Sequence, residues 1–236
     1  MQIKITLKNN KPFYTGFNYN YKLQSAIFYK LKEIGTSDFW HDEGFGDAVR
    51  FKGFVFGSLK GEYSIKNKMM CFEKNISFEL RSPVFEFCDE FQRSIELNPY
   101  FRLSNSVFEI DDVIFSNRHI NTSEAVFETE SPVTVYDTVK DRSLTVYYKP
   151  EEPEFIMGLK SNFRKKYMAI YKKEPPEIEI LTVGNYKKTV TKYKETWINA
   201  YNGKIIVRGN PNSLEFVYNS GLGSKNSQGF GMVNIK

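Results

Sequence analysis

The spacing of apolar residues along the first 120 residues alternates between two periods, and the order of the periods restricts the fold more than any other feature of the sequence. A period of two is typical of a half-buried strand, and a period of three to four is typical of an amphipathic helix. The segments follow each other as strand, helix, strand, strand, helix and strand, at residues 3–7, 23–34, 51–59, 70–80, 83–97 and 107–115. This order predicts a ferredoxin-like βαββαβ domain, which we place at residues 1–121.

The second half repeats this alternation less regularly. Its clearest element is a helix at 152–173, where apolar residues form one stripe. Strands are predicted at residues 125–129, 132–136, 178–183, 187–192, 205–208 and 231–235. We therefore predict an α+β protein with two tandem ferredoxin-like (RRM-like) domains, the second at residues 122–236.

The composition is that of a folded globular protein. Of 236 residues, 41% are hydrophobic and 26% are charged, which is close to the average of globular domains and argues against long disorder or a coiled coil. The longest apolar runs fall far short of the about 20 residues that a membrane helix needs, and the alternating N-terminus does not resemble a signal peptide. We expect a cytoplasmic protein with no membrane partner.

Cysteine and histidine are scarce, which narrows the possible chemistry. The chain has Cys71 and Cys88, 17 positions apart and without a CxxC motif, and the histidines His41 and His119. Such spacing fits neither a structural zinc site nor a disulfide framework. We therefore expect no metal site and no cofactor, and any acid–base chemistry by histidine depends on one of these two residues.

Positive charge is concentrated in one stretch of the second half. The net charge of the chain is +5, but residues 121–159 carry a net charge of −5 and residues 160–194 a net charge of +7. Aromatic residues make up 16% of the chain, which suits packed sheets and also stacking on bases. The uneven charge favours one surface that attracts an anionic partner and another that repels it.

The densest motif is a glycine-rich loop, GLGSKNSQGFG at residues 221–231, in which two GxG pairs stand five residues apart. It is not a P-loop, because Phe230 stands where lysine is needed, and Asn226 occupies the place of the third glycine of a dinucleotide fingerprint. Glycine permits close backbone approach, so the loop can aim N–H groups at a phosphate while Lys225 adds charge. Alternatively, it is a tight connection whose apolar residues belong to the core.

A GhGxxxxxGhG loop, with h an apolar residue, at the end of a doubled ferredoxin-like chain resembles the CRISPR-associated endoribonucleases that process CRISPR repeat transcripts, the Cas6 family of the RAMP superfamily. Other segments resemble this family in the same order, so the resemblance covers essentially the whole chain. YNYKLQSAI at 19–27 resembles the family's first helix, WHDEGF at 40–45 its active-site loop, and FVFGSL at 54–59 the strand after that loop. LNP at 97–99 resembles the end of its second helix, and SPV at 131–133 resembles the start of its second domain.

The resemblance implies a metal-independent reaction in which the 2′-hydroxyl attacks the scissile phosphate in line, leaving a 2′,3′-cyclic phosphate and a free 5′-hydroxyl. Such a reaction needs a base, an acid and a cation that stabilises the phosphorane. His41 lies in the segment that resembles the active-site loop, and an imidazole with a pKa of about 6.5 serves as base or acid. From the residues alone, a surface or capping histidine is the simpler interpretation. No family segment covers His119, which we interpret as structural or exposed.

Two further catalytic candidates follow from the resemblance. Lys52, alongside Arg50, matches a lysine that relatives place before the second strand, and we assign it to the phosphorane; otherwise it is a solvated charge at a sheet edge. Some relatives carry a tyrosine in the first helix, where this chain has Phe28, with Tyr29 one residue away. One residue turns a helical side chain by about 100°, so Phe28 and Tyr29 cannot both face His41. Tyr29 is a catalytic candidate or else a surface tyrosine.

The resemblance also implies that the second domain and the glycine-rich loop form a basic cleft for repeat RNA, held as a hairpin or as a single strand. Phosphate contacts supply affinity in such complexes, although a run of charge is often only a solvated face. The candidate RNA-binding residues are Arg164, Lys165, Lys187, Lys188, Gly221, Gly223, Ser224, Lys225, Asn226, Ser227, Gly229 and Gly231.

Three hypotheses about function result. The first is a metal-independent endoribonuclease that cuts CRISPR repeat RNA into guide crRNAs. The second is an RNA-binding subunit of a CRISPR effector complex that has lost cleavage, which Phe28 supports and His41 argues against. The third is a binder of small anionic ligands that uses only the glycine-rich loop. Repeat RNA or crRNA is the expected partner, with an effector complex and a second copy of the chain as further candidates.

Overall fold

The computed structural model describes residues 1–46, 50–139 and 144–236. In its first half, two helices and four main strands follow the predicted βαββαβ order, and a small three-stranded sheet and an edge strand are added to them. The elements are β1 (Gln2–Lys8), β2 (Phe13–Thr15), α1 (Asn20–Lys32), β3 (Val55–Phe56), β4 (Tyr63–Lys66), β5 (Met69–Phe72), β6 (Ile76–Arg81), α2 (Phe85–Leu97), β7 (Tyr100–Leu103) and β8 (Ser106–Ser116).

The main sheet of this half is antiparallel, with strand order β3-β6-β1-β8-β7. The four main strands, numbered 1 to 4 in chain order, are β1, β3, β6 and β8. Read from β8 and without the edge strand β7, they have the order 4-1-3-2 of a ferredoxin-like sheet. Ile5 pairs with Phe78 on one side and with Val113 on the other. The inward residues of β1 pack in one buried cluster with Leu23 of α1 and Phe91 of α2, as the alternating pattern predicts.

The predicted hairpin between residues 51–59 and 70–80 differs from the structure. The first run shortens to β3, and the second is divided into β5 and β6 by the polar residues Glu73, Lys74 and Asn75. β3 pairs with β6, whereas β5 pairs with β2 and β4. The last residue of the predicted loop 36–47 lies outside the described residues.

The second half is also a βαββαβ unit, with sheet order β12-β13-β9-β14. Read from the far end, this is again 4-1-3-2, with α3 and α4 as the two helices, so the fold of two tandem ferredoxin-like units is confirmed. The boundary between residues 121 and 122 stays a prediction. The elements are β9 (Glu124–Thr129), β10 (Tyr136–Val139), β11 (Leu144–Tyr147), α3 (Pro153–Tyr171), β12 (Glu179–Tyr193), β13 (Thr196–Arg208), α4 (Pro211–Ser220) and β14 (Val233–Ile235).

Several second-half predictions differ in detail. The expected strands 178–183 and 187–192 are one strand, β12, with an irregularity between Val183 and Lys187. The expected strand 132–136 is reduced to one bridge at Val133, followed by β10. Helix α4 has no counterpart among the predicted elements, although its start is marked. Asn210 caps it by accepting a hydrogen bond from the Ser213 N–H at 2.8 Å, and proline follows the cap.

The two units pack directly against each other. Arg81 at the end of β6 is buried, and it donates hydrogen bonds to the Val233 carbonyl and to Asn234 Oδ1 of the second unit, both at 2.5 Å. The amino group of Met1 reaches Asn219 Oδ1 at 3.1 Å. In the part of the chain that the structure describes, no helix is long and apolar enough to cross a membrane.

Candidate active site

A cleft of about 270 Å³ lies where the segment after α1 meets α3 and the glycine-rich loop. Its basic lining residues come from both units, and among the described residues that line it none is acidic. The electrostatic potential of such a cleft is positive, which favours a polyanion. The basic residues are His41, Arg50, Lys52, Lys166 and Lys225.

His41 is presented to the cleft by a π-helical turn, Phe39–Glu43. The neighbouring Trp40 anchors this turn, since its ring is buried and its Nε1 donates to Glu90 at 2.6 Å. The His41 side chain itself is 60% exposed, and its Nδ1 lies 2.5 Å from Asp42 Oδ1. The Phe28 ring packs edge-on against the imidazole, with centroids 4.9 Å apart. The imidazole is therefore oriented and still accessible from the cleft.

The chain returns from the turn to bring Lys52 to the same cleft. Phe45 and Phe51 exchange backbone hydrogen bonds of 2.7 and 2.8 Å and close the loop between them. Gly44 allows this approach, because its φ is +65° and a Cβ there would lie 2.5 Å from the Phe51 carbonyl oxygen. Desolvation lowers the pKa of the Lys52 ammonium, while the charge of nearby Asp42 acts in the opposite direction.

The opposite wall is the glycine-rich loop, whose four glycines are buried. Their role is close packing: a Cβ at Gly231 would lie 1.9 Å from the Leu222 carbonyl oxygen, and one at Gly223 would lie 2.5 Å from that of Thr134. The glycines that we predicted to contact RNA therefore offer the cleft little surface of their own. The residues between them line it instead, namely Ser224, Lys225, Asn226, Ser227 and Gln228.

Two side chains hold this loop from within. Lys166 of α3 is buried and donates to the carbonyl oxygens of Ser220, at 3.4 Å, and Gly221, and to Asn226 Oδ1 at 3.1 Å. The Asn226 amide nitrogen in turn donates to the carbonyl oxygens of Leu222 and Phe230 at 2.9 and 3.1 Å. Desolvation lowers the pKa of the Lys166 ammonium to about 7.

Our sequence analysis placed Lys166 only in the basic stretch that could contact phosphates, although a signal for its burial was present. Leu159, Phe163 and Ile170 belong to the buried stripe of α3, and Lys166 continues the same three-to-four spacing. A lysine at a buried position of an amphipathic helix has to be desolvated, which is costly unless its donors are satisfied. Other polar lining residues were also missed, namely Gln24, Tyr136, Asn162, Ser220 and Gln228.

These neighbours support the loop residues that enter the cleft. The Asn162 amide nitrogen donates to Ser224 Oγ at 3.1 Å. The ammonium of Lys225 lies 4.6 Å from the centroid of the Tyr136 ring, a cation–π contact, and burial lowers the pKa of Lys225. Both loop side chains are thus held in place from the second unit.

The structure does not bring Tyr29 to the cleft. Its side chain is 44% exposed, and the guanidinium of Arg102 lies 5.5 Å from its ring centroid. Phe28 faces His41 instead, in agreement with the expectation that only one of the two aromatic residues can do so.

The basic candidates outside the glycine-rich loop also lie away from the cleft. Arg164 forms two hydrogen bonds with Glu174, one of 2.8 Å. Lys165 is exposed, as are Lys187 and Lys188, which are adjacent in β12 and therefore point to opposite faces of the sheet. None of these four residues lines the cleft, so any RNA contact by them lies outside it.

His119 does not line the cleft either. Its side chain is 71% exposed, and its Nδ1 lies 3.4 Å from Glu215 Oε1. It offers a matched control for His41, because it is an exposed histidine beside a carboxylate.

Known proteins resemble this chain over its whole length. A relative from Pyrococcus furiosus named CRISPR-associated endoribonuclease Cas6 is 25% identical over 233 residues, covering 96% of this chain and 86% of the relative. A solved structure of a Cas6-related protein from Pyrococcus furiosus superposes with a TM-score of 0.83 at 22% identity, covering 100% of this chain and 98% of that one. A RAMP protein described as binding different RNA substrates reaches 0.83 at 20% identity, covering 100% and 99%.

The sequence model of one family matches more than half of the chain. The family is described as CRISPR associated protein Cas6, C-terminal, and the match covers residues 115–235. It includes β9 to β14 and the whole glycine-rich loop. The chain is therefore a member of the Cas6 family of CRISPR-associated proteins.

Proposed function

We propose that this chain is an endoribonuclease that cleaves CRISPR repeat RNA to generate guide crRNAs, without a metal ion. The observation that carries the proposal is the placement of His41 and Lys52 in one positively charged cleft, opposite the glycine-rich loop. Relatives that match nearly the whole chain are named CRISPR-associated endoribonucleases. The cytoplasmic location stays a prediction, and an effector complex and a second copy of the chain stay candidate partners.

The proposed reaction requires two proton transfers and one stabilised charge. The 2′-oxygen forms a bond to phosphorus and loses its proton to a base, while the bond to the 5′-oxygen breaks and that oxygen gains a proton from an acid. His41 is placed to perform one of these transfers, because its imidazole is accessible and oriented by Phe28. Lys52 faces the same space, and its ammonium stabilises the phosphorane. The products are a 2′,3′-cyclic phosphate and a 5′-hydroxyl.

Incubation of the purified protein with its host's repeat RNA in EDTA tests the proposal. We expect a single cut, with a cyclic phosphate on the upstream fragment and a hydroxyl on the downstream one, mapped by end-labelling and mass spectrometry. A 2′-deoxy nucleotide at the mapped position removes the nucleophile and is expected to abolish the cut. Cleavage that requires a divalent ion, or that leaves a 5′-phosphate, would contradict the proposed mechanism.

The His41→Ala variant tests whether the cleavage reaction takes place in this cleft. Loss of a general acid or base typically costs about 10²- to 10⁴-fold in rate, and RNA affinity is expected to change little because His41 is exposed. His119→Ala, at the histidine outside the cleft, is the matched control and is expected to cleave like the wild type. Equal rates in the two variants would remove His41 from the mechanism.

One observation favours the second candidate function, an RNA-binding subunit of an effector complex without cleavage. The aromatic residue that faces His41 is Phe28, which has no hydroxyl to give or take a proton. Under this hypothesis the wild type binds repeat RNA in a salt-dependent manner and does not cut it. Phe28→Tyr then restores cleavage, whereas Tyr29→Phe, at the residue outside the cleft, has no effect in either case.

A further inference from the structure

In the part of the chain that the structure describes, no negative group pairs with the buried ammonium of Lys166. Its side chain is 4% exposed, and its three N–H donors are directed at two backbone carbonyls and one amide oxygen, all neutral. In the ranges 1–46, 50–139 and 144–236, no carboxylate shifts its pKa, and desolvation alone lowers it. A buried charge without a counter-ion is costly, so this position needs a reason beyond packing.

The other groups that line the cleft do not offset this cost. The charged or titratable lining groups are His41, Arg50 and Lys52 from the first unit, Lys225 from the glycine-rich loop and Tyr136 from β10. The other lining residues from α1, α3 and the end of α4 are neutral: Gln24, Phe28, Asn162, Ile170 and Ser220. Among the lining residues that the structure describes, Lys166 therefore has no negative neighbour, and an anion in the cleft would supply one.

The protonation state of Lys166 determines how many contacts hold the loop. An ammonium has three donors, which match the oxygens of Ser220, Gly221 and Asn226. A neutral amine has two, so one of these oxygens would lose its donor. The charged form thus holds the glycine-rich loop more firmly to the end of α4.

We propose that Lys166 is a positioning residue that couples RNA binding to the uptake of a proton. Phosphates in the cleft favour the charged ammonium, and the ammonium secures the loop that lines the RNA-binding wall. The inference rests on the proposed function, because it takes the RNA backbone as the anion in the cleft.

The direction in which RNA affinity changes with pH follows from the linkage between proton binding and RNA binding. The free protein holds the Lys166 proton weakly, with a pKa of about 7, and the RNA complex holds it more strongly. The complex therefore binds more protons than the separate partners above this pH, and RNA affinity falls as the pH rises from 7 to 9. Uptake of one proton corresponds to a loss of about tenfold in affinity per pH unit. Ordinary lysines, with a pKa of about 10.4, contribute little in this range.

Titration calorimetry at pH 8 in two buffers of different ionisation enthalpy measures the proton uptake directly. The probe is the repeat RNA with a 2′-deoxy nucleotide at its cleavage position, so that only binding is observed. We expect uptake approaching about one proton per RNA for the wild type. It should be lost in Lys166→Met, which has no charge, and in Lys166→Arg, whose charge is permanent. Lys52→Met, Lys225→Met and His41→Ala are the controls, and all three should retain the uptake.

Each outcome decides one part of the argument. RNA binding by the wild type without proton uptake overturns the role of Lys166 and leaves the proposed function standing. Uptake that persists in both Lys166 variants, or that disappears in one of the three controls, also overturns it. If circular dichroism shows that the Lys166 variants do not fold, retention of uptake in all three controls supports the assignment. Absence of RNA binding overturns both this inference and the proposed function.

Discussion

The two walls of the cleft are built in opposite ways. On the first wall, the His41 side chain is 60% exposed, and the polar side chain nearest to it is that of the adjacent Asp42. On the second wall, the Asn226 side chain takes part in three hydrogen bonds, to Leu222, Phe230 and Lys166. A group that transfers protons needs access to substrate and solvent, whereas a surface that binds a backbone gains affinity when it is already ordered. The difference indicates that chemistry belongs to one wall and binding to the other.

The two walls of the cleft also share one feature, a glycine at a close backbone contact. Gly44 on the first wall and Gly231 on the second both have positive φ, and in both cases a Cβ would collide with a carbonyl oxygen, of Phe51 and of Leu222. Glycine therefore permits a close backbone crossing in both walls. What differs is the polar framework around the crossing, which is sparse near His41 and dense near Asn226.

After His41→Ala, the largest expected effect on the first wall is that of Lys52→Met. Loss of a group that stabilises transition-state charge typically lowers the rate by about 10²- to 10³-fold, while binding should weaken only a few-fold. Single-turnover rates at saturating protein separate the two effects. Lys11→Met, at an exposed lysine that does not line the cleft, is the control. If the variant binds RNA poorly but cleaves bound RNA at the normal rate, Lys52 contributes to binding and not to catalysis.

On the second wall, Gly231→Ala is expected to act on folding. Its φ is +77° and the new methyl group would lie 1.9 Å from a carbonyl oxygen, so the free energy of unfolding should fall by about 2–4 kcal/mol. Urea denaturation measures this change. Gly184→Ala, where nothing lies within 4 Å of the added Cβ, should change stability by less than about 0.5 kcal/mol. Equal midpoints for the two variants would show that the second wall is not tightly packed.

Asn226→Ala tests the hydrogen bonds of the second wall separately from its packing. It removes the partner of two carbonyl oxygens and of the Lys166 ammonium, so a loss of about 1–3 kcal/mol in stability is expected. Ser227→Ala, at the next residue and also in the cleft, is the control. Thermal unfolding measures the stability of both variants. If Asn226→Ala is as stable as the wild type, the order of the loop comes from its glycines alone.

The smallest expected effects concern RNA affinity. Lys225→Ala should reduce the slope of log affinity against log salt by about 1, because it removes one cationic contact. Arg164→Ala should leave the slope unchanged, since Arg164 is paired with Glu174 outside the cleft. A reduced slope for Arg164→Ala would show that the RNA also contacts α3 outside the cleft, and that Arg164 binds RNA as the sequence predicts.

The predicted site was partly recoverable from the sequence, and the exceptions have physical reasons. His41, Lys52 and the residues 224–227 were found by motif and position, and all of them line the cleft. Tyr29 was not excluded, because the rotation of α1 about its axis is decided by packing against the sheet. The buried state of Lys166 was not predicted, because it was grouped with the neighbouring basic residues as a surface contact for phosphates.

The sequence by itself determined the first βαββαβ unit, the doubling of the fold, the membership of a family and the two segments that form the walls of the cleft, since these depend on local periodicity and motif. The tertiary structure decided which charges meet. His41 and Lys52 come from the first unit, while Lys166 and Lys225 come from the second, and only the packing of the two units brings them together. Burial also belongs to the tertiary structure, because the desolvation that lowers the pKa of Lys166 to about 7 arises from neighbours that are distant in sequence.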